Sequence, residues 1–406
     1  MKTAILSTGN ELTNGTIPDT NSGWMARQLG DIGIKTDRIV VIGDSRSQLA
    51  AALTELWSTH DLLICTGGLG PTTDDITAAA VADAQRVELM RFAEAETQIT
   101  ERFASRNFPM AAINLKQADL PRGCIVLENP VGTAPGFLVT AENCQSFFLP
   151  GVPSEMKSMF QLHILPAVSA NGTSLHIARC STYGIGESVI QERLLHIEKA
   201  NPDVTFSYRA AFPVITTTIS GLQADAVATV HTAVRQSLRE WEISTEDKSI
   251  AAVVGELLAA QGKTIATAES CTGGMICNEL THVAGASGYV LGAVVAYDNR
   301  IKEQLLGVQN ESLARFGAVS EEVVCQMAQG VQQRMGSDLA IATSGIAGPS
   351  GGSVDKPVGT VHIAVAAGDI IFHKKCLFKG YSRTKVKTAT TWTALQMVHR
   401  HLLEKK

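Results

Sequence analysis

Nowhere in this 406-residue sequence does an uninterrupted apolar stretch reach the roughly 20 residues that a membrane-spanning helix needs. No membrane association is expected. The opening residues, MKTAILSTGN, set one lysine directly before a strand-like run and offer no small-residue cleavage site, so no export signal is read there. The eight cysteines, at 65, 124, 144, 180, 271, 277, 325 and 376, form neither a C-x-x-C pair nor a Cys/His cluster of zinc spacing. Reduced thiols in a cytoplasm are the expectation. Excess positive charge is missing too: a net charge of −5 leaves no broad basic surface for nucleic acid. Small anionic ligands must therefore be held by local features. No repeat of 20 to 50 residues is visible, and the length suggests about two or three domains.

What is present is a rhythm of strand, turn and helix. Residues 3–8, 37–42 and 61–66 are short β-leaning runs, each followed by a turn and then a helical pattern such as Asn21 to Leu29 or Gln48 to Trp57. This predicts an α/β domain on a parallel sheet over residues 1–170, closed by Pro166 and the small polar linker 169–174. A strand from Leu175 to Thr182, helices over 187–197 and 224–238, and a hairpin region over 204–220 predict a small α+β module at 171–246. Apolar positions 250, 253, 254, 257 and 258 then recur at helical spacing until Gly262, opening a third, α/β domain over 247–406.

In that third domain three strand ends converge. The segment TIATAESCTGG ends a strand in a hydroxyl, then two glycines, then a helix near Met275, which places Ser270 beside unpaired amides at a helix N-terminus. A second strand ends at AYDNRIK, with Tyr297 at its edge and Lys302 in the first turn of the next helix, a poor place for a cation unless it has a task. The third ends in TSGIAGPSGG, followed by KPVGT, where glycines let backbone approach a ligand. Each piece has a plainer reading: Ser270 as a helix cap, Lys302 as a solvated lysine, the loop as purely conformational. A Ser-His-Asp triad is disfavoured because His282 is the one histidine near these motifs and falls within or just after the helix that follows Ser270. A serine with a lysine base works if burial depresses the amine's pKa. Cys271 is the rival nucleophile, but alternation along a strand puts Ser270 and Cys271 on opposite faces if the strand runs that far.

The first domain carries a different set. In DLLICTGGLGPTTDDIT a buried strand leads into a Gly-rich turn and two carboxylates at a helix start. Thr66, Gly67, Gly68 and Gly70 are the candidate phosphate cradle. Asp74 and Asp75, with Glu11 after the first strand and Asp44 after the second, are candidate ligands for a divalent metal, although each aspartate alone is as well read as an N-cap. Neither a P-loop nor a dinucleotide fingerprint is present.

TAESCTGG, AYDNRIK and TSGIAGPSGG with KPVGTV resemble the nicotinamide mononucleotide deamidase family over residues 248–406. The first domain, through TGNELTNG, CTGGLGPTTDD, NPVGTAPG and LPGVPSEM, is similar to the molybdopterin-binding fold, and the whole chain resembles the competence/damage-inducible protein A (CinA) family. The resemblance implies a cytoplasmic, bifunctional pyridine nucleotide hydrolase. Its C-terminal domain would convert nicotinamide mononucleotide to nicotinate mononucleotide and ammonia without a cofactor, with Ser270 as nucleophile, Lys302 as base and Tyr297 orienting or relaying the proton. Backbone at Thr272, Gly273 and Gly274, or at the loop carrying Ser344, Gly345 and Gly348, would hold the oxyanion, and Arg383 the ligand phosphate. The N-terminal domain would split ADP-ribose into AMP and ribose 5-phosphate with cobalt, manganese or magnesium, and with potassium. The middle module is similar to the family's KH-type insert, but Gly184-Ile185-Gly186-Glu187 departs from the nucleotide-clamping GXXG, so a spacer or homodimerisation role is expected. Two other readings stand beside this one: an inactive or pterin-binding first domain, and a non-enzymatic competence or DNA-repair adaptor.

Overall fold

The computed structural model describes residues 1–169, 175–246 and 248–404; most of the linker expected at 169–174 lies outside them. The chain forms two compact units, Met1–Leu175 and His176–Lys406.

The first unit contains β1 (Thr3–Thr8), β2 (Thr36–Ile42), β3 (Leu62–Thr66), β4 (Leu89–Arg91), β5 (Asp119–Pro121), β6 (Ile125–Leu127), β7 (Gly136–Ala141) and β8 (Cys144–Leu149). The main sheet runs β2-β1-β3-β8-β7-β6, while β4 and β5 pair separately. Every residue of β1 and β3 is buried, as expected of strands covered on both faces. Alternate residues go to opposite layers. Ala4, Leu6, Leu63 and Cys65 pack with Leu49 and Leu53 of the helix Arg46–Thr59, whereas Ile5 and Ile64 pack with Met25 and Leu29 of the helix Thr20–Asp31. The strands β2, β1, β3 and β8 are parallel, as the rhythm predicts. The expectation of a wholly parallel sheet is corrected at one edge, where β7 and β6 run antiparallel. Only Glu142 and Asn143 separate β7 from β8, and a connection that short can join antiparallel strands alone.

The second unit holds two sheets. β9 (His176–Tyr183), β10 (Thr205–Ala211), β11 (Val214–Gly221) and β12 (Glu242–Ser244) form an antiparallel sheet in the order β10-β11-β9-β12. The helices Glu187–Ala200 and Ala224–Leu238 bury Ile190, Leu194, Val230 and Val234 with Cys180 and Ile219 of that sheet. The other sheet is β14-β13-β15-β16-β17, built from β13 (Ile265–Glu269), β14 (Val290–Val295), β15 (Leu339–Gly345), β16 (Thr360–Ala367) and β17 (Ile370–Leu377). One face carries Ala266, Ala268, Ala340, Ala342, Ala364 and Ala366 against Met327 and Val331 of the helix Glu321–Met335. The other carries Ile265, Ile341, Ile363 and Val365 against Val254 and Leu258 of the helix Ile250–Ala260 and against the terminal helix Arg383–Glu404.

Tyr183, at the end of β9, donates its hydroxyl to the Ala389 carbonyl at 2.9 Å and lies 2.8 Å from Thr393 Oγ1, tying the small sheet to that terminal helix. The eight cysteines are free thiols, with Cys65, Cys124, Cys144, Cys180 and Cys271 buried. Among the described residues no helix is long and apolar enough to cross a membrane.

Candidate functional sites

The parallel strands β13, β14 and β15 all point the same way, so the segments following them meet at one end of the sheet. There a cavity of about 280 Å³ is lined by Ser270, Cys271, Tyr297, Asn299, Lys302, Ser344, Gly345, Gly348 and Arg383, among others. Ser270 follows β13 directly, held by its amide to the Thr343 carbonyl at 3.0 Å. Since β13 ends at Glu269, Cys271 lies beyond the ladder and alternation does not separate it from Ser270; both line the cavity, contrary to the expectation from an extended strand. Burial pushes the Cys271 thiol up to about 12, which keeps it protonated at neutral pH.

Lys302 lies in the first turn of the helix Asn299–Leu306 and is only 1% exposed. Its Nζ donates to the Tyr297 carbonyl at 3.1 Å. Desolvation holds its pKa below the ordinary lysine value, against the opposing pull of Asp298. Tyr297 is 62% exposed, and its hydroxyl accepts a hydrogen bond from Arg383 Nη2 at 3.0 Å, while Arg383 Nη1 donates to the Gly348 carbonyl at 2.8 Å. Arg383 thus links the tyrosine to the Gly-rich loop. The Ser344 hydroxyl is engaged within the cavity wall, donating to the Ala318 carbonyl at 2.6 Å.

Thr272, Gly273 and Gly274 do not line this cavity. The Gly273 amide donates to the Ser270 carbonyl at 3.2 Å and the Gly274 amide to Glu269 Oε2 at 2.9 Å, so neither is unpaired as the motif suggested. Thr272 is buried with its hydroxyl 2.8 Å from that of Thr343.

In the first unit the exits of β1, β2, β3 and β8 surround a cavity of about 400 Å³ whose lining includes Glu11, Asp44, Gly67, Gly68, Gly70, Asp74, Asp75 and Glu155. Gly67 has φ +110°, and a Cβ there would stand 2.3 Å from the Thr8 carbonyl oxygen; only glycine lets the two strand exits approach this closely. The Gly67 amide is already taken by the Leu149 carbonyl. Thr66 points inward, donating to the Pro150 carbonyl at 2.8 Å, and is absent from the lining.

The helix begins at Thr77, so Asp74 and Asp75 sit in the turn before it rather than opening it. Asp75 accepts from the Thr72 amide at 2.8 Å and hydroxyl at 2.5 Å. Asp44 accepts from the Asn10 amide at 3.0 Å while Asn10 Oδ1 accepts from the Asp44 amide at 3.1 Å. The four carboxylates share the cavity, but among the described residues no three His, Cys, Asp or Glu side chains converge as a metal-holding group. The expected four-carboxylate ligand set is not assembled.

The C-terminal domain model of CinA matches residues 247–402, and that of a probable molybdopterin binding domain matches residues 4–170. A CinA-like protein of Desulforapulum autotrophicum is 39% identical over 417 residues, 99% of this chain and 99% of its own length. The chain belongs to the CinA family. A CinA-like protein of Geobacter metallireducens is 40% identical over 99% of this chain and 100% of its own. The crystal structure of the competence/damage inducible protein CihA from Agrobacterium tumefaciens, 39% identical, covers 38% of this chain and 97% of that one with a TM-score of 0.37.

Two carboxylates escaped the sequence reading of this CinA-family chain. Glu269 is fully buried, and its carboxylate accepts from the amides of Gly274, Ile276 and Cys277 at 2.9–3.1 Å and from the Thr267 hydroxyl at 3.2 Å. It occupies the N-terminus of the helix Met275–Thr281, the place the motif had left for a ligand anion. The signal was a carboxylate closing an otherwise uncharged buried strand, IATAE. Glu155, in the first turn of the helix Pro153–Met159, lines the N-terminal cavity and accepts from Asn129 Nδ2 at 2.7 Å.

Proposed function

We propose that the C-terminal part hydrolyses the carboxamide of nicotinamide mononucleotide to nicotinate mononucleotide and ammonia. What carries the reading is Lys302, buried in the cavity that Ser270 also lines and biased by desolvation toward the neutral amine. A neutral amine can take the Ser270 proton as Oγ attacks the carboxamide carbon. The resulting oxyanion needs donors from the cavity wall. The Ile346 amide is taken by the Thr360 carbonyl, so Ala347 and Gly348 of the lining are the amides assigned to it. Lys302 returns its proton to the departing nitrogen, releasing ammonia, and a water then cleaves the ester to give the carboxylate and free Ser270. Arg383, fixed by Tyr297 and Gly348, has further guanidinium donors for a phosphate.

Ammonia release from nicotinamide mononucleotide in the presence of EDTA tests this directly. The full chain is expected to be active, and Cys271→Ala to retain activity within about threefold, because a thiol held protonated contributes little as a nucleophile. An inactive parent, or activity lost with Cys271 alone, refutes the substrate or the nucleophile.

A second reading concerns the first unit, favoured by the Gly-rich turn and five carboxylates around one cavity. We propose hydrolysis of ADP-ribose to AMP and ribose 5-phosphate, with a divalent cation held jointly by one or two of these carboxylates and the ligand's phosphate oxygens. Potassium dependence is part of the same proposal. With manganese and potassium supplied, the full chain is expected to form AMP from ADP-ribose, and Asp74→Asn to lower that rate at least tenfold. AMP formation that is absent, or unchanged by the substitution, refutes it.

A further inference from the structure

The N-terminal cavity adjoins a second, narrow slot of about 90 Å³. The two share Gly68, Leu69, Gly70, Asp75 and Gln117. The slot is mainly apolar, walled by Ala78, Ala79, Leu89, Leu120 and Pro135. Its charged members are already engaged. Asp119 is held by Arg91 through two contacts at 2.6 and 3.0 Å, and Lys116 donates to the Thr72 and Asp75 carbonyls.

Gln117 differs. It comes from the 3₁₀ turn Ala112–Ala118, is 5% exposed, and makes a single long hydrogen bond from Nε2 to the Leu69 carbonyl at 3.4 Å. Among the described residues its Oε1 is buried without a partner. A buried carbonyl with no donor is costly, and the bond to Leu69 fixes which end of the carboxamide donates, leaving Oε1 and the second Nε2 hydrogen for a ligand. Thr8, which lines the larger cavity at the exit of β1, also has a buried hydroxyl without a partner among the described residues. Two unpaired polar groups in one cavity wall offer a ligand partners that the chain itself does not engage.

We infer that Gln117 reads the amino edge of a planar nucleobase whose ring edge enters the apolar slot, while the phosphates lie in the larger cavity by the Gly-rich turn. A carboxamide offers one acceptor and one donor side by side, the complement of adenine's amino group and neighbouring ring nitrogen. A slot this narrow takes the edge of a ring, and its apolar walls suit the faces. The assignment rests on the phosphate-ligand reading of this unit and names the specificity determinant within it.

Binding of AMP, IMP, GMP and ribose 5-phosphate to the full chain, at fixed magnesium, tests it. IMP replaces the amino group by an oxo group and so reverses the donor pattern. The parent is expected to bind AMP about tenfold or more tighter than IMP or GMP. Gln117→Met keeps the side-chain volume and is expected to bring the AMP/IMP ratio near one while leaving ribose 5-phosphate affinity unchanged. Its melting temperature is expected to change little, because the substitution removes an unpaired carbonyl together with one long hydrogen bond to Leu69. Equal AMP and IMP affinity in the parent, tighter GMP, or a ratio that survives Gln117→Met overturns the role of Gln117 while the phosphate site stands. Failure of all four ligands to bind the parent overturns the phosphate-site reading and this inference with it.

Discussion

Ser270→Ala and Lys302→Met are each expected to lower the turnover of nicotinamide mononucleotide by about 10⁴-fold or more, with thermal unfolding of both variants still cooperative. The serine variant lacks the attacking oxygen and the lysine variant lacks the base. Because these two groups act as a unit, the double variant is expected to be no worse than either alone. The pH profile separates this mechanism from one in which Lys302 acts only as a charge. Burial lowers the lysine's pKa in the folded chain, and the base works only when neutral, so activity is expected to rise with pH through that lowered value and to fall on the acid side. Stability follows with the same sign. Between the folded and unfolded pKa values the unfolded chain binds the extra proton, so this group makes folding more favourable as pH rises across that window. A profile that falls with rising pH would exclude Lys302 as the base.

Glu269→Ala is expected to be the most destabilising single change near the site. It strips the acceptor from three helix amides and one hydroxyl at a fully buried position, a loss of roughly 3–5 kcal/mol. Glu269→Gln keeps one acceptor oxygen but turns an N–H toward donors, and about half that loss is expected. Urea denaturation of the two variants against the parent provides the measurement. A loss below 1 kcal/mol for Glu269→Ala would mean that water replaces the carboxylate at the helix start.

The convergence of strand ends was readable because turn residues follow each of these strands and because parallel strands deliver their exits to one side. Hence Ser270, Tyr297, Lys302, Ser344 and Gly348 come to one cavity as the sequence predicts, and Arg383 joins them from the terminal helix. The choice of amides was not readable. TGG after a strand looks the same whether the following helix receives a ligand or the chain's own carboxylate, and only the direction taken by Glu269 decides it. The same ambiguity governs the first unit. Acids near a Gly-rich turn read as metal ligands, yet Asp75 is folded back onto Thr72, a local bond that short polar side chains make readily, and Asp44 is tied to the Asn10 amide across the exits of β1 and β2. Thr66 likewise counted as a cradle residue because its neighbours are glycines, whereas its strand position turns the hydroxyl to the Pro150 carbonyl. Gln117 lay in an irregular stretch with no periodicity, and nothing there marked it until β5 and the Gly-rich turn were seen side by side.

Three of the five buried thiols lie within sheets: Cys65 and Cys144 in the first unit's main sheet and Cys180 in the small antiparallel sheet. Alkylating reagents reach such sulfurs only when the surrounding strands separate. Quenched labelling followed by mass spectrometry therefore turns these three side chains into native clocks, timing the opening of the two sheets without any inserted probe.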